Sequence, residues 1–461
     1  MVVRPNNDGA MPAVKQCLRS SVIGLTAALF VACGDAPSPQ ALPTTLTAEV
    51  VIHCGALIDG ISDKPLIDQV ILVDQARIRS VVSADQLGVS ATEERAHIDL
   101  REFTCLPGLI NTHVHFDGNP EDSVDYSIYA RRTAAENLAL VLANAKTTLL
   151  TGFTTVRHVG AWFPNAVYQA RDKIRAGEAI GPRILTAGPY LTIPGGGGDL
   201  TFPEIPVDQI PPESQLGIAS TSQQFAQRAE AAIAGGADFL KVIASGAVFS
   251  LGTDPGAPEM SQADIAAVVK VAKQYDKQVT AHVHSDQSGR DAILAGVDSL
   301  EHASLLDDAT IALAHQRGVA LSMDIYNGTY TDTIGRSQGY PEIFLQRNTQ
   351  TTEAQRAVFK KAYAAGVTLL YGTDAAVLPH TMGGWQFATM IEHGMTPMEA
   401  IRSATSVAAD HLRIDADVGA VIPGRQADII AVKVDPLTDP LSLRDVDVVI
   451  QAGIVVKQPP L

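Results

Sequence analysis

Two histidines two residues apart, His113 and His115, close the apolar run Leu106-Pro107-Gly108-Leu109-Ile110-Asn111-Thr112. Along a strand alternate side chains share a face, so both imidazoles project the same way, whereas on a helix they would diverge by more than a right angle. Such a pair can hold one metal ion, and two ordinary polar residues at a strand end would look the same. The wider set decides. Other apolar runs end in or around Lys241, His282, His302 and Asp374, and imidazoles with a carboxylate are the donors that suit Zn²⁺ and similar ions. Lys241 cannot join them as an ammonium, because like charges repel. Its stretch Phe239-Leu240-Lys241-Val242-Ile243 offers no local acid, so the amine is neutral or modified. A neutral amine can take up CO₂ as a carbamate, whose two oxygens bridge ions roughly 3.5–4 Å apart.

The elements that must position these residues recur as a unit of amphipathic helix, glycine and short apolar strand. The glycines are Gly152, Gly236, Gly296, Gly318 and Gly366, each placed to end a helix before a parallel strand. Thr396-Pro397-Met398-Glu399 and Ser261-Gln262-Ala263-Asp264 are helix starts of the capping-box kind. With the strands ending at His113, near Thr186 and at His282, eight parallel strands are expected. Eight strands alternating with helices imply an α/β fold, a closed (β/α)8 TIM barrel over residues 105–417, with the active site where strands end. Short strands at both ends of the chain, residues 48–104 and 418–461, are expected to build one small β-sandwich domain together. The long segments Pro189 to Glu213 and Ile325 to Thr352 follow barrel strands and should face substrate.

The chain has 461 residues, 46% hydrophobic and 18% charged, which suits one large globular domain with a smaller companion. A net charge of −16 and no basic stripe exclude a nucleic-acid partner. Lys15 and Arg19 precede the apolar run Val22 to Ala32, which ends at Cys33 and is too short to span a membrane comfortably. Residues 1–33 resemble a bacterial lipoprotein signal and 34–47 a linker, although Phe30 stands where leucine is usual. An exported protein is expected, in the periplasm or on the outer surface of a bacterium, with any membrane attachment through a lipid anchor at Cys33. Cys54 and Cys105 remain in the mature chain, where a disulfide and two buried thiols are both open.

Seven stretches together carry a family resemblance: Leu106 to His115, Gly152 to Arg157, Ala237 to Lys241, Thr280 to His284, Leu300-Glu301-His302, Gly372-Thr373-Asp374 and Gly424 to Asp428. They are similar to the amidohydrolase superfamily, and within it to the Xaa-Pro dipeptidase and imidazolonepropionase-related branch. The resemblance implies that His113, His115 and Asp374 hold one divalent metal, His282 and His302 a second, and N6-carboxylated Lys241 bridges both. Hydroxide shared by the ions would attack the carbonyl, Asp374 would carry its proton to the leaving amine, and His284 would bind the oxyanion or a substrate carboxylate. Four departures surround the pocket: His158, Gly197, Ser285 and Thr381 replace the branch's usual aspartate, histidine, glycine and glycine. None removes a metal ligand, so amide hydrolysis stands while the dipeptidase specificity does not follow. Arg157, His158, Tyr190, Tyr326 and His380 are the candidate substrate contacts.

The expectation is a binuclear zinc-type hydrolase cleaving the amide bond of a small molecule, a dipeptide or N-acyl amino acid; a homo-oligomer is compatible with the sequence. A mononuclear cyclic-amide hydrolase or deaminase of the imidazolonepropionase type, with Lys241 dispensable, is the alternative. A non-catalytic binding lipoprotein would need damaged chemistry, and every ligand is present.

Overall fold

The computed structural model describes residues 50–86, 96–200 and 206–459, so the expected leader and linker lie outside the described residues. The N-terminal strands are β1 (Val50–Leu57), β2 (Leu66–Asp74), β3 (Arg77–Ser83) and β4 (Ala96–Pro107). Eight strands follow: β5 (Leu109–Val114), β6 (Phe153–His158), β7 (Arg183–Thr186), β8 (Leu240–Ile243), β9 (Val279–Val283), β10 (Ser299–His302), β11 (Ala320–Ser322) and β12 (Leu369–Leu370). The chain returns through β13 (Ile429–Val432), β14 (Val448–Gln451) and β15 (Ile454–Lys457).

All eight middle strands pair in parallel, β5-β6-β7 in one sheet and β8 to β12 in another. Isolated parallel bridges join the sheets on both sides, Leu191 with Val242 and Val114 with Ala375. Parallel strands covered by helices read as unbroken apolar runs, and β5, β6, β8, β9 and β10 are buried at every position. The five expected helix-ending glycines all take positive φ. At Gly296 and Gly318 the residue is the helix cap itself, in the left-handed conformation that a side chain would disfavour. The capping boxes of Thr396 with Glu399 and Ser261 with Asp264 form as the sequence predicts.

The terminal segments pair into one seven-stranded sheet, ordered β15-β14-β13-β4-β1-β2-β3. Hydrogen bonds run continuously across both terminal segments, which build one β-domain together as expected. One of its apolar clusters includes Ile52, Ile71, Ile429 and Ile450. Ile430, Val432 and Val449 instead join the cluster that fills the space around the eight parallel strands, so the two parts share a core. Cys54 and Cys105, on paired strands β1 and β4, form a disulfide.

Candidate metal centre

His113 lies in β5 and His115 one residue past its end; Lys241 and His282 lie in β8 and β9, His302 ends β10, and Asp374 follows β12 by four residues. The topology brings all six, with His284 and Tyr190, into one cavity of about 160 Å³. Two of the expected ligands reach it through strained backbone. His302 and Asp374 have φ of 65° and 53°, a left-handed conformation costing a non-glycine residue on the order of 1–3 kcal/mol and typical of functional sites.

Each of the four expected histidine ligands has one ring nitrogen tied down. His113 Nδ1 donates to Glu301 Oε2 at 2.7 Å, His115 Nδ1 to Gly160 O at 2.9 Å, His282 Nε2 to Gly246 O at 3.2 Å, and His302 Nδ1 to Asp324 Oδ1 at 2.9 Å. Carboxylates and carbonyls only accept, so these nitrogens carry the protons and the opposite ones keep their lone pairs. Metal-ligating histidines are oriented in this way by their outer partners. Glu301 is fully buried on β10, and it receives Arg157 Nη2 at 2.5 Å and the Thr280 hydroxyl as well. Burial opposes its charge, but Arg157 and His113 hold its carboxyl well below the usual carboxylate range.

His113 Nε2 and His115 Nε2 lie 3.3 and 3.4 Å from Asp374 Oδ1. Two donors on one tetrahedral Zn²⁺, each near 2.0–2.1 Å from it, stand about 3.3 Å apart, so the spacing fits an ion among the three. Donor atoms of His113, His302 and Asp374 form one compact group, and those of His282, His284 and His302 another, all within 4.8 Å of one another in each group. His302 belongs to both. Lys241 is 1% exposed, and its Nζ has no ion-pair or hydrogen-bond partner among the described residues. Burial pushes its amine down to about 8, against the pull of Glu301. The donors fit divalent ions, and burial leaves more of the Lys241 amine neutral than in an exposed lysine.

Of the five residues expected to touch substrate, only Tyr190 lines the cavity. Arg157 is 3% exposed, its guanidinium committed to Thr112 O, Ser299 Oγ and the Glu301 carboxylate that also holds His113. His158 is buried behind His115 and accepts a hydrogen bond from Phe116 N through Nε2. His380 turns its Nε2 to Gly118 O, and Tyr326 packs beside Trp385. Arg157 and His158 are successive residues of β6 and so face opposite ways, Tyr326 and His380 lie beyond the strands, and each of the four is engaged with protein groups outside the cavity lining. Glu301 and Asp324 escaped the sequence reading as functional residues. The available signal was a glutamate inside an apolar strand beside a ligand, since a buried carboxylate needs a partner.

Parallel β-strands with helices, delivering imidazoles and a carboxylate into one cavity, define an amide-hydrolysing enzyme of the metal-binding kind once set beside known proteins. The chain belongs to the amidohydrolase family, whose model matches residues 104–456. It is 33% identical to a Xaa-Pro dipeptidase crystallised with methionine in its active site, with a TM-score of 0.82 and coverage of 88% of this chain and 99% of that one. It is 27% identical over 431 residues to ochratoxinase of Aspergillus niger, covering 87% of this chain and 85% of that protein. A prolidase crystallised with N-methylphosphonate-L-proline shares the fold, at 24% identity and a TM-score of 0.81 over 89% of this chain and 99% of that one.

Proposed function

We propose that this protein is a binuclear metal-dependent amidase, a dipeptidase or N-acyl amino acid hydrolase in breadth, built on one (β/α)8 barrel closed at the two bridged seams. The observation that carries it is the set of four histidines with their outer nitrogens tied and their inner ones turned, with Asp374 and Lys241, into one cavity. His113, His115 and Asp374 would hold one ion and His282 and His302 the other, with Lys241 as a bridging carbamate. Forming the carbamate joins Nζ to the carbon of CO₂ with loss of one proton from nitrogen. Bound ions supply an acidified water and a polarised carbonyl.

The chain's own groups do the rest. Asp374 uses Oδ1 toward His113 and His115, leaving Oδ2, steadied by Asn327 Nδ2 at 3.4 Å, to take the proton of the attacking water and return it to the leaving nitrogen. His284, fixed by Ser304 Oγ at 2.8 Å from Nδ1, turns its other nitrogen toward the oxyanion. The compact group of His282, His284 and His302 favours a second reading, one ion held by three imidazoles with Lys241 dispensable. Export is carried forward too; the Cys54–Cys105 disulfide supports an oxidising compartment.

The test is hydrolysis of a panel of dipeptides, N-acyl amino acids, imidazolones and aminopurines by protein before and after chelation and metal addition. Metal-dependent turnover of linear amides is expected. Turnover confined to the cyclic compounds, or none at all, overturns the proposal.

A further inference from the structure

One wall of the cavity is made of rings whose polar ends are turned into protein. Trp162 Nε1 donates to Gly198 O at 2.9 Å, Tyr126 Oη donates to Phe249 O at 2.9 Å, and Tyr190 Oη lies 2.9 Å from His115 Nδ1. The rings pack on one another, Tyr129 on Trp162 with centroids 4.6 Å apart, Trp162 on Tyr190 at 5.6 Å, and Tyr190 on the His115 imidazole at 5.8 Å. The wall is therefore continuous up to a ligand of the metal centre. With the Trp162 and Tyr126 donors engaged, these side chains offer a bound molecule mainly ring surface, which favours an offset or edge-on aromatic partner.

Charge points the same way. Among the described residues lining the cavity, Lys241 is the one lysine or arginine, whereas Asp117, Asp324 and Asp374 all line it. The buried guanidiniums nearby are turned elsewhere, Arg157 to Glu301 and Arg347 to the carbonyls of Ser250 and Thr253. Among the described lining residues a free carboxylate on the substrate would find no arginine and no lysine besides Lys241 to pair with, so it gains no dedicated salt bridge there.

We propose that the enzyme selects its amide through an aromatic ring seated on the Tyr129–Trp162–Tyr190 wall and not through a free carboxylate. This rests on the amidase reading above. In the metal-loaded full chain, kcat/KM is compared for N-ethylacetamide, which has no ring, and for N-ethylbenzamide and N-benzylacetamide, which carry one on either side of the bond. Benzoylalanine and N-acetylphenylglycine add one carboxylate to the latter two. A ring is expected to raise kcat/KM by about tenfold or more, the scale of burying one aromatic face. The added carboxylate should give no gain, and Trp162→Ala should remove most of the ring's advantage. Equal turnover of the ringless amide, or about a tenfold gain from the carboxylate, overturns the proposal while leaving the amidase reading intact.

Binding tests it independently of turnover. In an Asp374→Asn, Trp385→Phe variant Trp162 is the only tryptophan of the chain, and its fluorescence reports occupancy of the wall. N-benzylacetamide should quench it at concentrations where N-ethylacetamide does not, and N-acetylphenylglycine should bind no tighter than N-benzylacetamide. Indifference to the ring, or tighter binding of the acid, overturns the proposal whatever chemistry the protein performs.

Discussion

His113 and Glu301 form a buried pair, Nδ1 to Oε2 at 2.7 Å, and the same carboxylate carries the charge of Arg157 at 2.5 Å. One acid thus sets the tautomer of a proposed metal ligand and neutralises a guanidinium that has almost no exposure to solvent.

Glu301→Gln keeps the shape but leaves Arg157 without a counter-charge and lets the His113 ring turn. Metal affinity is expected to fall roughly 10- to 100-fold. The metal-free protein should lose about 3 kcal/mol, the scale of breaking a buried ion pair. Competition with a chromophoric chelator reads the first effect and urea unfolding the second; unchanged affinity would remove Glu301 from the metal site's support.

His284 separates the two readings of the centre. As an oxyanion donor it should be replaceable by asparagine with metal content unchanged and kcat lower by roughly a hundredfold to a thousandfold. Loss of an ion together with activity in His284→Asn would make it a ligand.

His411 should give the fold an acid-sensitive step. Burial pushes its imidazole down to about 3, and its Nε2 is sealed off without a partner among the described residues. The unfolded chain takes up a proton near pH 6.5 and the folded chain resists it. The stabilisation is thus full above about pH 6.5 and is lost as pH falls toward 3, by up to about 1.4 kcal/mol per pH unit. His411→Gln should make the fall in unfolding free energy between about pH 6.5 and about pH 5 shallower by one proton's worth. An identical slope would contradict the assignment.

The disulfide closes a span of 51 residues between β1 and β4. Cross-linking over that length restricts the unfolded chain by about 4 kcal/mol in the loop-entropy view. Cys54→Ser with Cys105→Ser, or reduction, should lower the melting temperature, and a Tm indifferent to reductant would mean the bond contributes nothing.

The residues that converge on the cavity were legible because most sit at or just past the end of an apolar run, and Lys241 stands as a lone charge inside one, where period-two alternation and the preceding glycine are strong local signals. All eight middle strands could be anticipated for the same reason, even β12, only two residues long, because Gly366 ends the helix before it. Arg157, His158 and His380 show where that reasoning stops. Being next to a motif does not say which way a side chain turns, and the cavity is walled instead by Tyr126, Tyr129 and Trp162, from segments with no motif. Pairing across the terminal sheet was equally hidden, since it depends on β4 meeting β13 more than three hundred residues later.

The central claim is that Lys241 bridges two ions as a carbamate. The direct measurement is metal content per chain, with magnetic resonance of protein grown in labelled bicarbonate, for wild type and Lys241→Ala. Two ions and one carbamate carbon in the wild type, with an ion, the signal and amide turnover lost together in the variant, are what the account predicts. Full activity in Lys241→Ala, or an active wild type holding one ion and no carbamate, would contradict it.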